Sequence, residues 1–301
     1  MRTPHRACPR LMLLFTTTGY EAREFVQAAQ QIGVDIVLGS DRCHVLDDPW
    51  QDGALPLRFE RPQEAAQHIV DYARSQSLDA ILPIGDTPVL TAALANQALH
   101  FQHHDPRAAA ASRNKFLMRQ LLRNAGLRVP WFTCFPMQAD PRVLQHEVLY
   151  PCVLKPLALS ASRGVMRANS PEEFVKLFWR LRALLETPAI RLQHDEVHDA
   201  ILVEKFIPGF EVALEGLLTA GRLQVLALFD KPDPLDGPFF EETLYITPSR
   251  LKAETQDAII RCTEQAAQAL GLAHGPLHAE LRMNQEGPWI LEVAARAIGG
   301  L

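Results

Sequence analysis

The sequence lacks the features that mark membrane-spanning and nucleic-acid-binding proteins. It contains no run of about 18 apolar residues, the length that a membrane-spanning helix needs. Its formal net charge is −5, whereas a general nucleic-acid binder usually presents a basic face. We therefore expect neither a membrane nor a nucleic acid among the partners of this protein.

Cysteine is scarce and forms no recognisable pattern. The 301 residues include five cysteines, and no two of them form a C-x-x-C pair. They are Cys8, Cys43, Cys134, Cys152 and Cys262. A disulfide framework or a zinc site would need paired or clustered spacing. We therefore predict reduced thiols and a cytoplasmic protein.

Two common nucleotide-binding motifs are also missing. The loop TTTG at 16–19 lacks the G-x-G-x-x-G pattern of dinucleotide sites. In the stretch YPCVLKPLALSASRG at 150–164, lysine precedes a loop of small residues, whereas a P-loop places lysine after its glycines. A strand that ends in lysine and leads into such a loop still suits a nucleoside triphosphate, because the ammonium and backbone N–H groups can reach phosphate oxygens. A surface lysine beside a hairpin loop explains the stretch about as well.

Hydrophobic periodicity predicts an α/β fold in the first third of the chain. With 48% hydrophobic residues, the chain is large enough for two or three domains. Apolar runs alternate there with segments of helical period. We predict strands at 11–15, 34–41 and 79–85 and helices at 21–32, 62–75 and 88–99. This alternation indicates a parallel sheet with covered faces, and the polar, proline-broken segment at 101–112 is a candidate domain boundary.

The rest of the chain mixes helices with hairpins. We predict helices at 112–126, 171–185 and 252–270, the first with Ser112 as its N-cap. Strands are expected on both sides of the 160–164 loop and of Pro208-Gly209, at 222–231, and in a final hairpin formed by 276–284 and 288–296. The small-residue loop therefore becomes the tip of a hairpin.

Charged residues stand at unusual places in these elements. Lys115 falls in the first turn of a helix, where a cation opposes the helix dipole unless an anion lies nearby. A surface lysine is the alternative. Glu211 and Glu215 share one face of a strand. That is usual for an exposed edge and informative only if the face lines a cleft.

The last hairpin brings two carboxylates together. Glu280 and Glu292 lie at similar distances from the QEG turn, each within an apolar strand. They need a counter-charge, because like charges at close range cannot both ionise cheaply. Mg²⁺, held by one or two carboxylates and substrate phosphates, can supply it. A salt bridge from Arg296 is the structural alternative, and spacing alone does not separate the two.

Taken together, these segments resemble the ATP-grasp superfamily, particularly the carboxylate–amine ligases that include L-amino-acid ligases. The motifs occur in that family's order, over nearly the whole chain: Lys115, Lys155-Pro156, SASRG, VEKFIPGFE, HAELRMN and LEVAAR. The resemblance implies an α/β protein, α+β in its ATP-grasp part and C-terminally truncated. A Rossmann-like parallel-sheet domain would span 1–107, a lid subdomain with a linking helix 108–203, and a core subdomain 204–301.

The resemblance also implies an ATP site. Its residues would be Lys115, Lys155, Ser160, Ala161, Ser162, Arg163, Gly164, Glu204, Lys205, Ile207 and Glu211. The two lysines would neutralise the α- and β-phosphates, and residues 160–164 would close over the β- and γ-phosphates. Glu204, Lys205 and Ile207 would form the adenine hinge, and Lys205 and Ile207 would do so mostly through backbone groups. Glu211 would accept hydrogen bonds from the ribose hydroxyls.

A metal and a catalytic cation complete the implied site. Glu280 and Glu292 would carry Mg²⁺, with Mn²⁺ as an alternative, and Arg296 would steady the transferred phosphoryl group or an oxyanion. Candidate substrate contacts near the motifs are His278, Glu215, Arg282 and the loop at 231–242. A satisfied core histidine is the alternative for the first of these.

The implied function is amide or peptide bond formation between a carboxylate and an amine, both small molecules. The carboxylate would attack the γ-phosphate, giving an acyl phosphate and ADP, and the amine would then displace phosphate. Ala294 stands where many ATP-grasp enzymes have asparagine, which leaves open one metal site or two. The alternatives are a non-catalytic or truncated ATP-binding protein and a carboxylase-type subunit. A homodimer is a possible assembly.

Overall fold

The computed structural model describes residues 8–17, 22–41, 53–193, 195–240 and 244–299. Cys43, part of the TTTG turn and the end of the loop at 231–242 lie outside these ranges. The chain divides into two compact units. One comprises the described residues up to Ala110 together with those from Ala295 onward, and the other comprises Ala111 to Ala294.

The first unit is built on the predicted parallel sheet. Its strands are β1 (Arg10–Phe15), β2 (Asp35–Ser40), β3 (Leu55–Pro56) and β4 (Ala80–Pro83), in the order β3-β2-β1-β4 with every pair parallel. Its helices are α1 (Ala22–Gln31), α2 (Pro62–Ser75) and α3 (Val89–Ala98), and α4 (Pro106–Ser112) contains the boundary between the units. Side chains of β1 alternate between two apolar clusters, one with α2 and α3 and one with α1. The α/β organisation expected for this part is therefore confirmed.

The second unit contains two antiparallel sheets. The strands of its first sheet are β5 (Phe132–Pro136), β6 (Cys152–Pro156), β7 (Met166–Ala168) and β8 (Ala200–Lys205), in the order β5-β8-β6-β7. The associated helices are α5 (Lys115–Asn124), α6 (Pro141–Leu144), α7 (Pro171–Leu185) and α8 (Pro188–Arg191), followed by a 3₁₀ turn (Glu196–Asp199). Apolar side chains of α7 pack into a core with those of β6 and β8. This packing leaves the ends of β6 and β8 to carry charged residues.

The second sheet of this unit positions six of the candidate residues. Its strands are β9 (Phe210–Thr219), β10 (Arg222–Lys231), β11 (Gly275–Asn284) and β12 (Gly287–Ala294), in the order β10-β9-β11-β12, with α9 (Ala253–Leu270) beside them. The turn before β9 requires glycine. Gly209 has φ +125°, and a Cβ there would collide with the carbonyl of Met283. Only glycine thus lets the chain run directly from the end of β8 into β9.

The predicted start of the helix at 112–126 is wrong. Ser112 is the last residue of α4, and α5 begins at Lys115 with Asn114 as its N-cap. The Asn114 side chain accepts hydrogen bonds from the backbone N–H groups of Phe116 and Leu117, both at 3.1 Å. Asparagine caps a helix as well as serine does, and here it satisfies two of the otherwise unbonded N–H groups. The polar segment at 101–112 therefore holds a short helix as well as a boundary.

Candidate functional site

A buried glutamate joins the two strands that lead to the predicted phosphate loop and hinge. Glu204 lies near the end of β8, only 2% exposed, and Lys155 lies near the end of the neighbouring β6. The Lys155 Nζ atom is 2.7 Å from Glu204 Oε2. Arg119 of α5 donates through Nε to Glu204 Oε1, and its Nη2 lies 3.4 Å from Oε2. Burial would raise the pKa of Glu204, but the two cations and their hydrogen bonds lower it overall to about 2.

Lys115 has an anionic partner. Its Nζ lies 3.1 Å from Oε2 of Glu292 and donates to the carbonyl of Leu159 at 2.9 Å. The carboxylate supplies the anion that a cation in the first turn of a helix requires. Both Lys115 and Lys155 are less than 10% exposed, so the surface-lysine alternative is wrong for each. The Leu159 contact also links α5 to the start of the small-residue loop.

The loop at 160–164 adopts left-handed backbone conformations. Ala161 and Ser162 have φ of 54° and 51°, and Gly164 has φ of 78°. Such angles are uncommon outside glycine and strongly disfavour β-branched or bulky side chains. A Cβ on Gly164 would also lie 2.9 Å from Cδ2 of Leu184 in α7. The small residues that the sequence places here therefore match the backbone they have to form.

Glu280 and Glu292 are direct cross-strand partners in β11 and β12. The hairpin thus places both carboxylates together, as the sequence predicted. Lys231, at the end of β10, lies 3.1 Å from Glu280 Oε1. The counter-charges are therefore Lys115 for Glu292 and Lys231 with His278 for Glu280, whereas Arg296, the predicted structural alternative, pairs elsewhere.

His278 bridges two glutamates on the same sheet. Its Nδ1 is 2.5 Å from Glu215 Oε1 and its Nε2 is 3.5 Å from Glu280 Oε1. Burial alone would lower the pKa of His278, but the hydrogen bonds and charges of the two carboxylates raise it to about 9. The imidazole is therefore protonated at neutral pH and holds Glu280 between itself and Lys231.

The exposed-edge alternative for Glu211 and Glu215 is wrong. Strand β9 is an interior strand flanked by β10 and β11, and both glutamates are less than 10% exposed. Glu211 accepts a hydrogen bond from Nε of Arg282 at 2.8 Å, and Lys231 lies 3.6 Å away. The two carboxylates are thus part of a buried charged layer rather than a solvated strand face.

Arg282 connects this layer to the segment after β8. Besides Glu211, its guanidinium donates to the carbonyls of Ile207, at 2.8 Å, and Leu235. Its Cζ lies 4.8 Å from the centroid of the Phe206 ring, and the residue is 2% exposed. These contacts fix the backbone at 206–207, where the predicted hinge lies. Lys205 in the same segment is exposed and donates its backbone N–H to the carbonyl of Trp131.

Arg296 belongs to the first unit. Its Nε and Nη2 donate to the two carboxylate oxygens of Asp86 at 2.8 and 2.9 Å. Asp86 follows β4, at the carboxyl end of the parallel sheet, where open α/β sheets place ligand contacts. A two-point pair of this kind fixes the plane of the guanidinium.

The carboxylates suit a magnesium ion that is shared with a substrate. Within the described ranges, no group of three or more His, Cys, Asp or Glu residues forms a metal cage. Mg²⁺ needs no such cage, since it is commonly held by one or two carboxylates together with substrate phosphates. Glu280 and Glu292 provide two carboxylates on paired strand positions, next to the buried lysines. The donor set also fits Mn²⁺, which prefers oxygen ligands as well.

One functional candidate in this layer escaped the sequence-based prediction. Arg119 contacts a predicted site residue, yet it was not predicted, whereas Lys231 was covered only as the first residue of the candidate loop at 231–242.

None of the helices in the part of the chain that the structure describes is long and apolar enough to span a bilayer.

Comparison with known proteins agrees with these features. The model of a family described as an ATP-grasp domain matches residues 148–301, just over half of the chain. Alanine–anticapsin ligase of Bacillus subtilis (strain 168) is 26% identical over 249 residues, 79% of this chain and 52% of that protein. Carnosine synthase 1 of Gallus gallus is 28% identical over 325 residues, 98% of this chain and 34% of that protein. The chain thus spans about half or less of the length of these relatives.

A solved structure extends the comparison to the fold. The L-amino acid ligase from Bacillus licheniformis superposes with a TM-score of 0.81 at 29% identity. The match covers 98% of this chain and 70% of that one. The predicted fold class is therefore confirmed.

Proposed function

Since this chain belongs to the ATP-grasp family, we propose that it is an ATP-dependent carboxylate–amine ligase that forms an amide or peptide bond. The observation that carries the proposal is the buried layer in the second unit. It gathers cations and carboxylates from six strands, β6 and β8 to β12, and from the helix α5, with Lys115, Lys155, Glu280 and Glu292 at its predicted centre. So dense a layer of buried charge is costly unless it is paired or serves a charged ligand.

A nucleoside triphosphate fits the arrangement of these groups. Lys115 and Lys155 would bind phosphate oxygens from two sides, and the loop at 160–164 would cover the phosphates with its backbone N–H groups. Backbone groups of Lys205 and Ile207, with Glu204, would bind the adenine, and Glu211 would accept hydrogen bonds from the ribose. Arg282 supports this pocket by holding both Glu211 and the carbonyl of Ile207.

Glu280 and Glu292 would hold Mg²⁺, or Mn²⁺, which when bound would neutralise phosphate charge and orient the triphosphate. The protein's own contribution is to keep both carboxylates ionised. Lys231 and His278 hold the pKa of Glu280 well below its usual range, although its burial alone would raise it. The number of bound ions depends on position 294, where alanine stands in place of the asparagine ligand of many ATP-grasp enzymes.

The reaction we propose needs no nucleophile from the protein. A carboxylate oxygen of the substrate forms a bond to the γ-phosphorus as the bond to the β,γ-bridging oxygen of ATP breaks, which yields an acyl phosphate and ADP. An amine then forms the bond to the carbonyl carbon, phosphate leaves, and the amine loses a proton. Arg296, oriented by Asp86, would stabilise the negative charge that develops on the transferred group.

Amino acids are the substrates that we propose for both positions. The names of the relatives, alanine–anticapsin ligase and L-amino acid ligase, support this choice. His278, Glu215 and Arg282 remain candidate substrate contacts, although each is already engaged with protein groups. We further propose that the enzyme acts in the cytoplasm on small molecules, because its described cysteines are free thiols.

The test is release of ADP and phosphate by the full-length gene product with ATP, Mg²⁺ and a panel of amino acids, singly and in pairs. We expect release that depends on an amino acid and is lost in Lys155→Met. Release of AMP and pyrophosphate instead, or no amino-acid dependence, would count against the proposal. Tight ATP binding without any release would favour the non-catalytic alternative that Ala294 suggests.

A further inference from the structure

Arg119 lies at the junction of the segments that would bind ATP. It stands one helical turn after Lys115 on α5, is 1% exposed and donates to both oxygens of Glu204. Its Nη2 also donates to the carbonyl of Leu291 at 3.0 Å, directly before Glu292. One side chain thus connects α5, β8 and β12. The proposed function itself assigns no role to it.

The charges around Glu204 do not balance. Arg119 and Lys155 are cations and Glu204 is the one anion that they share, which leaves one net positive charge in a buried place. The low pKa of Glu204, about 2, keeps the carboxylate ionised at neutral pH. Without Arg119, Glu204 and Lys155 would form a neutral pair. The carboxylate of Glu204 would then neutralise Lys155 alone, and the attraction of Lys155 for a phosphate would fall.

A second observation indicates that Arg119 does more than pair with Glu204. Its Nη1 atom is buried and makes no hydrogen bond to any of the residues described. A buried guanidinium nitrogen without an acceptor costs free energy. If Arg119 served stability alone, we would expect Nη1 to have an acceptor as well. An anionic ligand bound nearby would compensate the charge of the guanidinium.

We propose that Arg119 is a positioning residue of the nucleotide site: it holds Glu204 so that this carboxylate orients Lys155 without neutralising it, and it thereby maintains the net positive charge that attracts the polyphosphate. This inference rests on the proposed ATP-binding function. Arg119 acts through Glu204 and Lys155, so its removal weakens the binding of phosphates more than the binding of the adenosine part.

The experiment measures the affinities of ATP and adenosine by competition against a fluorescent adenine nucleotide. Their ratio isolates the contribution of the phosphates. Arg119→Met should reduce this ratio about tenfold or more, because a unit charge near the phosphates is lost. Arg119→Lys, which retains the charge but not the planar fork, should recover part of the ratio. Arg123→Met is the matched control, since Arg123 lies exposed on the same helix and stacks on the ring of Phe132.

A double variant separates charge from structure. Arg119→Met combined with Glu204→Gln removes one cation and one anion, which restores the net charge of one on Lys155. The ratio should return to within about threefold of the wild type. If Arg119→Met or this variant does not fold, Arg119→Lys, which should lower the ratio in part, is the test.

An unchanged ratio in a folded Arg119→Met protein would overturn the inference, as would a double variant that stays as weak as the single one. If the wild-type protein binds no ATP at all, the proposed function fails first. If the wild-type protein binds ATP but the ratio of the two affinities is the same in Arg119→Met, the role proposed for Arg119 is wrong and the proposed function stands.

Discussion

The stability of the second unit should depend on the ionisation of Glu204. Replacing this residue by glutamine leaves Arg119 and Lys155 buried without their shared anion, and we expect a large loss of stability at neutral pH. At low pH the wild-type carboxyl is itself protonated and resembles the amide. The destabilisation caused by Glu204→Gln should therefore shrink as the pH falls.

The size of this change follows from the pKa of Glu204. Folding lowers the pKa from 4.5 to about 2. Each unit of difference in pKa corresponds to about 1.36 kcal/mol, so the ionised carboxylate contributes about 3 kcal/mol to the free energy of unfolding. Because the folded-state pKa is depressed, this contribution is fully present above pH 4.5 and is lost as the pH falls towards 2.

The measurement compares urea unfolding of wild type and Glu204→Gln between pH 7 and pH 2, followed by tryptophan fluorescence. Three of the four tryptophans, at 131, 179 and 289, lie in the second unit. We expect the difference in unfolding free energy to decrease by about 3 kcal/mol over this interval. A difference that stays constant with pH would show that the ionisation of Glu204 does not stabilise the second unit. Glu147→Gln, at an exposed carboxylate, is the control and should change stability little at any pH.

Two further predictions concern the metal carboxylates and the turn before β9. Lys115→Met should raise the affinity for Mn²⁺ in the absence of nucleotide, because the lysine competes with a cation for Glu292. Electron paramagnetic resonance of free Mn²⁺ measures this affinity. An unchanged or weaker affinity would show that the ion pair of Lys115 with Glu292 does not block the metal site. Gly209→Ala should destabilise the second unit by about 3 kcal/mol or more, because a Cβ collides with the carbonyl of Met283 and φ is +125°. Chemical denaturation measures it, and a loss below about 1 kcal/mol would mean that the turn adapts.

Local signals predicted many elements of the fold. Helix α7 begins and ends where expected because Ser170 caps it, Pro171 opens it and apolar residues keep one face. The final hairpin was predictable for a similar reason, since turn residues separate its two apolar strands, although a register shift between Glu280 and Leu281 is what pairs Glu280 with Glu292. Such features depend on residues close together in the chain.

Features that depend on distant partners were missed. Arg119 contacts a residue 85 positions away, and a cation in an amphipathic helix ordinarily indicates its solvent face. Its spacing of four from Lys115 was the available signal, because residues four apart lie on one face of a helix. Lys231 likewise pairs with Glu211 across β9 and β10, but only because the register shifts between Val225 and Ala227, which the turn residues do not predict.

The wrong N-cap at Ser112 and the wrong edge alternative for Glu211 have similar causes. Serine and asparagine are both good helix caps, and nothing local decides between Ser112 and Asn114. Whether Glu211 lies on an edge depends on the strands that flank β9, one of which, β11, begins at residue 275. A period-two pattern shows which residues share a face but not what covers that face.

The proposed reaction begins when a substrate carboxylate attacks the γ-phosphate of ATP. An amino acid that supports ADP release can be labelled with ¹⁸O in its carboxylate, and the released phosphate can be analysed by mass spectrometry. Transfer of a carboxylate oxygen through an acyl phosphate predicts one ¹⁸O atom in each phosphate released. Phosphate that forms together with the amide product but carries no ¹⁸O would contradict the account.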